Sequence, residues 1–171
     1  GSEMCIRDSF RMARALRPAG LNWPETDEGH PTFRLELLTA ANGVSHADAH
    51  DAVSDVLATV SMTAKLRAAQ PRLYDYLFRM RSKNAAADQV YPLGKSAFVH
   101  VSNMYPNERS CAAIVVALCQ HPENPNGIVC YDLDVEPTPL ITSNAERVRH
   151  LTFTPRSELA EGEARIPLKV M

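Results

Sequence analysis

Between Asn42 and Met62 runs NGVSHADAHDAVSDVLATVSM, where acids and histidines recur at spacings that suit metal-assisted chemistry. On a helix at 100° per residue, Asp48, Asp51 and Asp55 fall opposite an apolar stripe of Val53, Val56, Leu57 and Val60. Asp51 and Asp55 are like-charged i, i+4 neighbours, which costs a solvated helix about 0.2–0.5 kcal/mol. The positive helix N-terminus offsets Asp48 and Asp51, but its influence fades before Asp55. A divalent cation beside Asp55 would reverse that penalty. Carboxylate oxygens are hard ligands, and the imidazole of His50 can take a proton near neutral pH. The same pattern equally describes the solvated face of an amphipathic helix, and a His-x4-Asp pair recurs by chance. Spacing alone leaves both readings open.

The elements around this stretch follow from periodicity and breakers. Phe10 to Leu16 reads as the end of a helix stopped by Pro18 and Gly20, and LNWPETDEGHPT is a loop. Phe33 to Ala41 forms a short helix with Thr32 as N-cap, closed by Asn42-Gly43. A longer helix covers Ala47 to Ala69 and lays the Val53/Val56/Leu57/Val60/Ala64 stripe on a core, ending at Gln70-Pro71. Leu73 to Arg81 gives one more helix. SKNAAADQVYPLGKS reads as a linker. Beyond it AFVHVS, CAAIVVALC, GIVCYDLD and ARIPLKV read as strands, rich in Val and Ile and bounded by Pro, Asn and Gly, with NAERVRHL as a short helix between them.

A formal net charge of -2 gives no global argument for a polyanion, so any such site must come from local basic groups. No run approaches the roughly 18 apolar residues of a membrane helix. Setting aside Cys5, the cysteines Cys111, Cys119 and Cys130 are odd in number and lack C-x-x-C spacing. They fit buried reduced thiols of a cytoplasmic protein better than disulfides or zinc ligands. The opening GSEMCIRDS has neither the composition of a signal peptide nor any periodicity. It resembles a translated transposase-type sequencing adapter. Residues 1–9 are therefore expected to be an artefactual tail, with the gene's own sequence starting near Phe10. The stop inside a strand-like run at Met171 is likewise expected to be a truncation.

In order along the chain, ALRPAGLNWP, PTFRLELLTAANG, AHDAVSDVLAT and QPRLYDYLFRMRSK, then FVHVS, HPEN and IPLKV, resemble bacterial exodeoxyribonuclease I, a DEDDh-type 3′–5′ exonuclease family. The resemblance covers nearly everything from Phe10 to Met171. It implies an α+β chain. Residues 10–87 would be the C-terminal helical part of a ribonuclease-H-like α/β exonuclease domain, and 88–171 a small, incomplete SH3-like β-barrel domain. The implied parent degrades single-stranded DNA from the 3′ end, releasing mononucleotides with two magnesium ions, in DNA repair and recombination. Single-strand-binding protein is its implied partner, and the cytoplasm its implied location.

The family's closing His-x4-Asp matches His50 and Asp55. By resemblance Asp55 is a metal-ligating carboxylate, and His50 deprotonates or positions the attacking water. The family's Asp-x-Glu and second Asp belong upstream of the region that matches and are not in this chain. Asp132–Asp134 and SELAEGE are acidic but stand in the wrong order. The chain alone is therefore expected to be inactive, and its apolar stripe, without the central sheet, to be uncovered and aggregation-prone. By the same resemblance Arg17 and Arg34 match positions facing DNA in the active-site cleft, and Arg11 matches beside the adapter junction. Lys83, Asn126 and Lys169 match the path along the second domain. Two other readings remain: a non-catalytic single-strand-binding module, and an HD-type metal phosphohydrolase using His50 and Asp51.

Overall fold

The computed structural model describes residues 2–46 and 51–171. They form two compact units, 1–86 with 101–112, and 87–100 with 113–171.

In the first unit lie α1 (Ser2–Leu16), α2 (Leu35–Ala41), α3 (Ala52–Ala69) and α4 (Pro71–Met80). The backbone of α1 runs back through the adapter-like stretch to Ser2, since extending a formed helix costs far less than nucleating one. Arg34, not Thr32, occupies the N-cap of α2, and the Thr32 hydroxyl instead accepts from the Arg34 amide at 3.4 Å. Asp51 caps α3, its carboxylate accepting from the Ser54 amide at 2.9 Å, so α3 begins at Ala52. Positions 47–50 lie outside the described residues. Pro71 at the first turn starts α4, where its missing N–H costs nothing.

The core of this unit is Phe10, Ala13, Leu38, Met62 and Leu66, with Leu21, Trp23, Phe33, Leu35, Val44 and Leu73 packed against it. From α3 it takes Met62 and Leu66, and Ala58 is buried on the same line. The other apolar line of α3 is uncovered, as expected for a chain without the central sheet. Val53, Val56, Leu57 and Val60, read as the core face, are each at least 60% exposed. Helix α3 is apolar on two sides, and α1, α2 and α4 cover only one of them. Gly20 (φ +90°) lets the chain leaving α1 pass the end of α3, where an added Cβ would lie 2.7 Å from Ala69 Cβ.

The stretch expected to be a linker contains a helix, α5 (Lys83–Val90). Three consecutive alanines make NAAADQV a good helix former despite its loop-like flanks. The four expected strands are present as β1 (Ala97–Val101), β2 (Ala112–Gln120), β3 (Ile128–Asp132) and a shorter β4 (Leu168–Val170). Pro167, which cannot donate to a ladder, immediately precedes β4. Their order is β1-β2-β3-β4 in one open sheet rather than a closed barrel. The β2–β3 and β3–β4 pairs are antiparallel, with a register slip between Ala117 and Cys119. Helices α6 (Thr138–Thr142) and α7 (Ala145–Phe153) follow β3, and Asn144 caps α7 through the Arg147 amide at 2.8 Å. Tyr131, Leu151 and Ile166 form the core here, joined by Val116, Leu140, Val148, Leu159 and Leu168. Cys111 and Cys130 are buried free thiols, and burial pushes Cys130 up to about 11, leaving it unreactive. Cys119 is exposed, contrary to the expectation of three buried thiols.

Glu163 ties the loop after α7 back to that helix. The Arg147 guanidinium hydrogen-bonds one carboxylate oxygen, while the Ala160 amide donates to the other at 3.1 Å. Both hold its pKa below the usual glutamate range, the Arg147 bond most strongly. A carboxylate depressed on folding stabilises fully above its unfolded pKa of about 4.3 and loses that contribution as pH falls through the folded value. In acid titrations followed by circular dichroism, Glu163→Gln should flatten this part of the stability curve below about pH 4.3 while lowering stability at pH 7. An unchanged acid limb would show that the latch does not matter.

Candidate functional site

Asp55 sits in the first turn of α3, on the helix side shared with Ala58 and Met62 and opposite the exposed stripe. His46, in the loop before α3, places Nε2 2.7 Å from Asp55 Oδ1. The His46 side chain is 4% exposed and that of Asp55 34%. An ionised carboxylate only accepts, so Nε2 carries the proton and donates. Nδ1 of His46 is buried and without a partner among the described residues. The contact supplies the compensating donor that the fading helix field does not give Asp55.

His50 lies outside the described residues. Asp51, the second residue of the HD reading, is engaged as the α3 cap. Among the described residues no group of three His, Cys, Asp or Glu side chains is arranged to hold a metal ion.

The remaining sequence-derived positions are spread over both units. Arg17 is exposed just beyond the end of α1. Arg34 is exposed and ion-paired to Glu36 at 2.9 Å. Arg11 points inward, its side chain 13% exposed, paired to Asp8 at 2.9 Å with its guanidinium 5.8 Å from the Phe33 ring centroid. Lys83 is exposed at the first position of α5. In the second unit Asn126 stands exposed in the β2–β3 loop, its amide donating to Asn124 Oδ1 at 3.1 Å. Lys169 is half-buried in β4, opposite Cys130. Gly127 beside Asn126 sits close to neighbouring side chains, an added Cβ lying 2.9 Å from Val170 Cγ1 and 3.0 Å from Asn124 Nδ2.

Among the described residues the structure pairs Asp55 with His46, a contact that sequence reasoning missed. Its signal was weak: a histidine nine residues before the acid, across a loop where helical spacing says nothing about contact.

A family model for the exonuclease I SH3-like domain matches residues 81–171. Over 97% of its length the chain is 40% identical to exodeoxyribonuclease I of Escherichia coli, and it spans 35% of that protein. It is similar to the solved exonuclease I from Methylocaldum szegediense, with 48% identity and a TM-score of 0.88 over 96% of this chain and 35% of that one. E. coli exonuclease I in complex with a dA16 oligonucleotide gives 40% identity and a TM-score of 0.88, covering 97% and 35% of the two chains. An ExoI/SSB-Ct complex gives 38% identity and 0.86 over the same shares.

Proposed function

The chain belongs to the exodeoxyribonuclease I family, and on that premise we propose that it forms part of a single-stranded-DNA-specific 3′–5′ exonuclease of DNA repair and recombination that releases mononucleotides. The carrying observation is the match, along 97% of this chain at 40% identity, to a relative solved with an oligonucleotide. Within that enzyme Asp55 is a metal-ligating carboxylate and His50 the base that takes or orients the proton of the attacking water. His46 orients Asp55 through its ring N–H. Single-strand-binding protein is the proposed partner and the cytoplasm the proposed location. No helix among the described residues is long and apolar enough to cross a membrane.

Magnesium is the proposed cation, because carboxylate oxygens suit it. The described residues nevertheless offer Asp55 and no cluster around it. They do not assemble a two-ion site, and no hydrolytic step follows from them alone. What this chain's own side chains supply is a grip on the strand. Arg17 and Lys83 offer exposed cations, and Arg34 can exchange its surface pair with Glu36 for a phosphate. In the second unit Asn126 and Lys169 are proposed strand contacts in their own right. Arg11, with its inward side chain, acts by supporting Phe33 beside Arg34. The incomplete donor set favours a second reading for the chain by itself, that of a binding module without chemistry.

Fluorescence anisotropy of a labelled oligo-dT, with EDTA present, tests the grip. Binding should weaken steeply with salt, and Arg34→Gln should cut affinity several-fold and lower the log–log salt slope by about 0.7. A wild-type chain that binds no strand at low salt would overturn the proposal.

A further inference from the structure

One face of α4 carries a row of rings and cations that the proposed grip does not use. Tyr74 and Phe78, one turn apart, are near-parallel, with centroids 6.1 Å apart and planes 16° apart. The Arg81 guanidinium lies 3.8 Å over the Phe78 ring, and that of Arg67, from the last turn of α3, 5.5 Å from the Tyr74 centroid. Phe78 is 50% exposed. Beside the rings is a mainly apolar cavity of about 410 Å³, lined by Phe10, Met12, Leu66, Tyr74, Leu77 and Phe78, with Arg81 also contributing. That volume lies in the range of small-molecule pockets and accommodates a nucleotide.

The charge around it is one-sided. Arg67, Arg72, Arg79, Arg81 and Lys83 have no carboxylate partner among the described residues. Asp75 is the one acid of α4, and Asp8, at the cavity, is held by Arg11 at 2.9 Å. Unneutralised guanidiniums flanking flat rings suit a ligand that alternates negative charge with flat aromatic groups. Single-stranded nucleic acid has that chemistry: phosphates for the cations and a π-face on every base.

We propose that Arg67, Tyr74, Phe78 and Arg81, with the cavity beside them, form a base-stacking site for single-stranded DNA. The site rests on the strand-binding reading above and extends it. Lys83, two residues beyond Arg81, continues the same row of cations. A base stacks on the rings or enters the cavity, and Arg81 and Arg67 turn from the rings toward the flanking phosphates.

The test measures anisotropy of oligo-dT and of an abasic strand of equal length, in EDTA, on the full chain. Tyr74→Leu with Phe78→Leu keeps an apolar face. It should weaken oligo-dT binding about 10-fold or more, since base–aromatic stacking is a large part of such affinities, and leave abasic binding unchanged. Arg81→Gln should weaken both strands and lower the salt slope by about 0.7. As a readout that a purely structural role would not move, a Trp placed by Phe78→Trp should be quenched by oligo-dT and not by the abasic strand. This also serves if the double variant fails to fold. Oligo-dT affinity unchanged in the folded double variant while Arg34→Gln weakens it, or no base-dependent quenching, overturns the stacking site alone. No strand binding by the wild-type chain overturns the strand-binding reading and this site with it. An acidic peptide with an apolar end that binds the wild type but not the double variant, whose oligo-dT affinity is intact, reassigns the face to a protein partner and overturns the proposal.

Discussion

Given magnesium and a single strand with a free 3′ end, the purified 171-residue chain should release no mononucleotide above the uncatalysed background, and Asp55→Asn should leave that result unchanged. Enzymes of this kind supply rate factors of about 10⁶ or far more, so the contrast with a competent exonuclease is the largest effect expected here. The reason lies in the donor set. Two-metal phosphodiester hydrolysis clamps both the attacking and the leaving oxygen between ions about 3.5–4 Å apart. Holding two such ions takes several carboxylates, and the described residues form no group of three His, Cys, Asp or Glu side chains that could hold a metal. Strand binding in EDTA should survive, because cations and rings need no metal. Chromatography of the reaction products checks the point. Magnesium-dependent release that Asp55→Asn abolishes would mean that the chain completes the site with groups outside the described residues.

The second large effect concerns stability. Met62→Ala should destabilise the first unit by about 2–5 kcal/mol, because deleting a fully buried side chain loses its transfer energy and leaves a cavity. Met62 is 0% exposed at the centre of the Phe10/Leu38/Leu66 cluster. Domains are stable by only about 5–15 kcal/mol in total, so this one truncation threatens the fold. Val60→Ala, two residues earlier on the same helix, should cost under about 0.5 kcal/mol, since Val60 is 60% exposed. Urea unfolding followed through Trp23, which packs on the same core, measures both. Equal costs for the two substitutions would mean that the Val53/Val56/Leu57/Val60 face is covered in solution, as self-association through an exposed apolar stripe would cause.

These two expectations mark where sequence reasoning stopped. The helix holding Asp55 was legible because its apolar residues repeat at helical spacing, and the strands because Val and Ile runs end at Pro, Asn and Gly. That α3 carries a second apolar line, which packs within this chain, was not legible. Val53/Val56/Leu57/Val60 and Ala58/Met62/Leu66 are both apolar lines, and only the second meets α1 and α2. Helix α5 was hidden because a weakly apolar, alanine-rich segment carries propensity but little periodicity.

At the candidate site the division is the same. The sequence by itself determined the chemistry on offer: a carboxylate at Asp55 suited to a hard cation, a histidine at His50, and arginines and lysines that can meet phosphate. It also determined the order of segments that the family match rests on. Only the tertiary structure decided that His46 reaches across a loop to hold Asp55 and that Arg11 turns inward to Phe33. It alone stacked Arg67 of α3 and Arg81, the C-cap of α4, against the rings of Tyr74 and Phe78. Periodicity reports neighbours one turn apart within an element. Contacts made across a loop or between helices depend on the path of the chain and on which faces find partners, and spacing along the sequence carries neither.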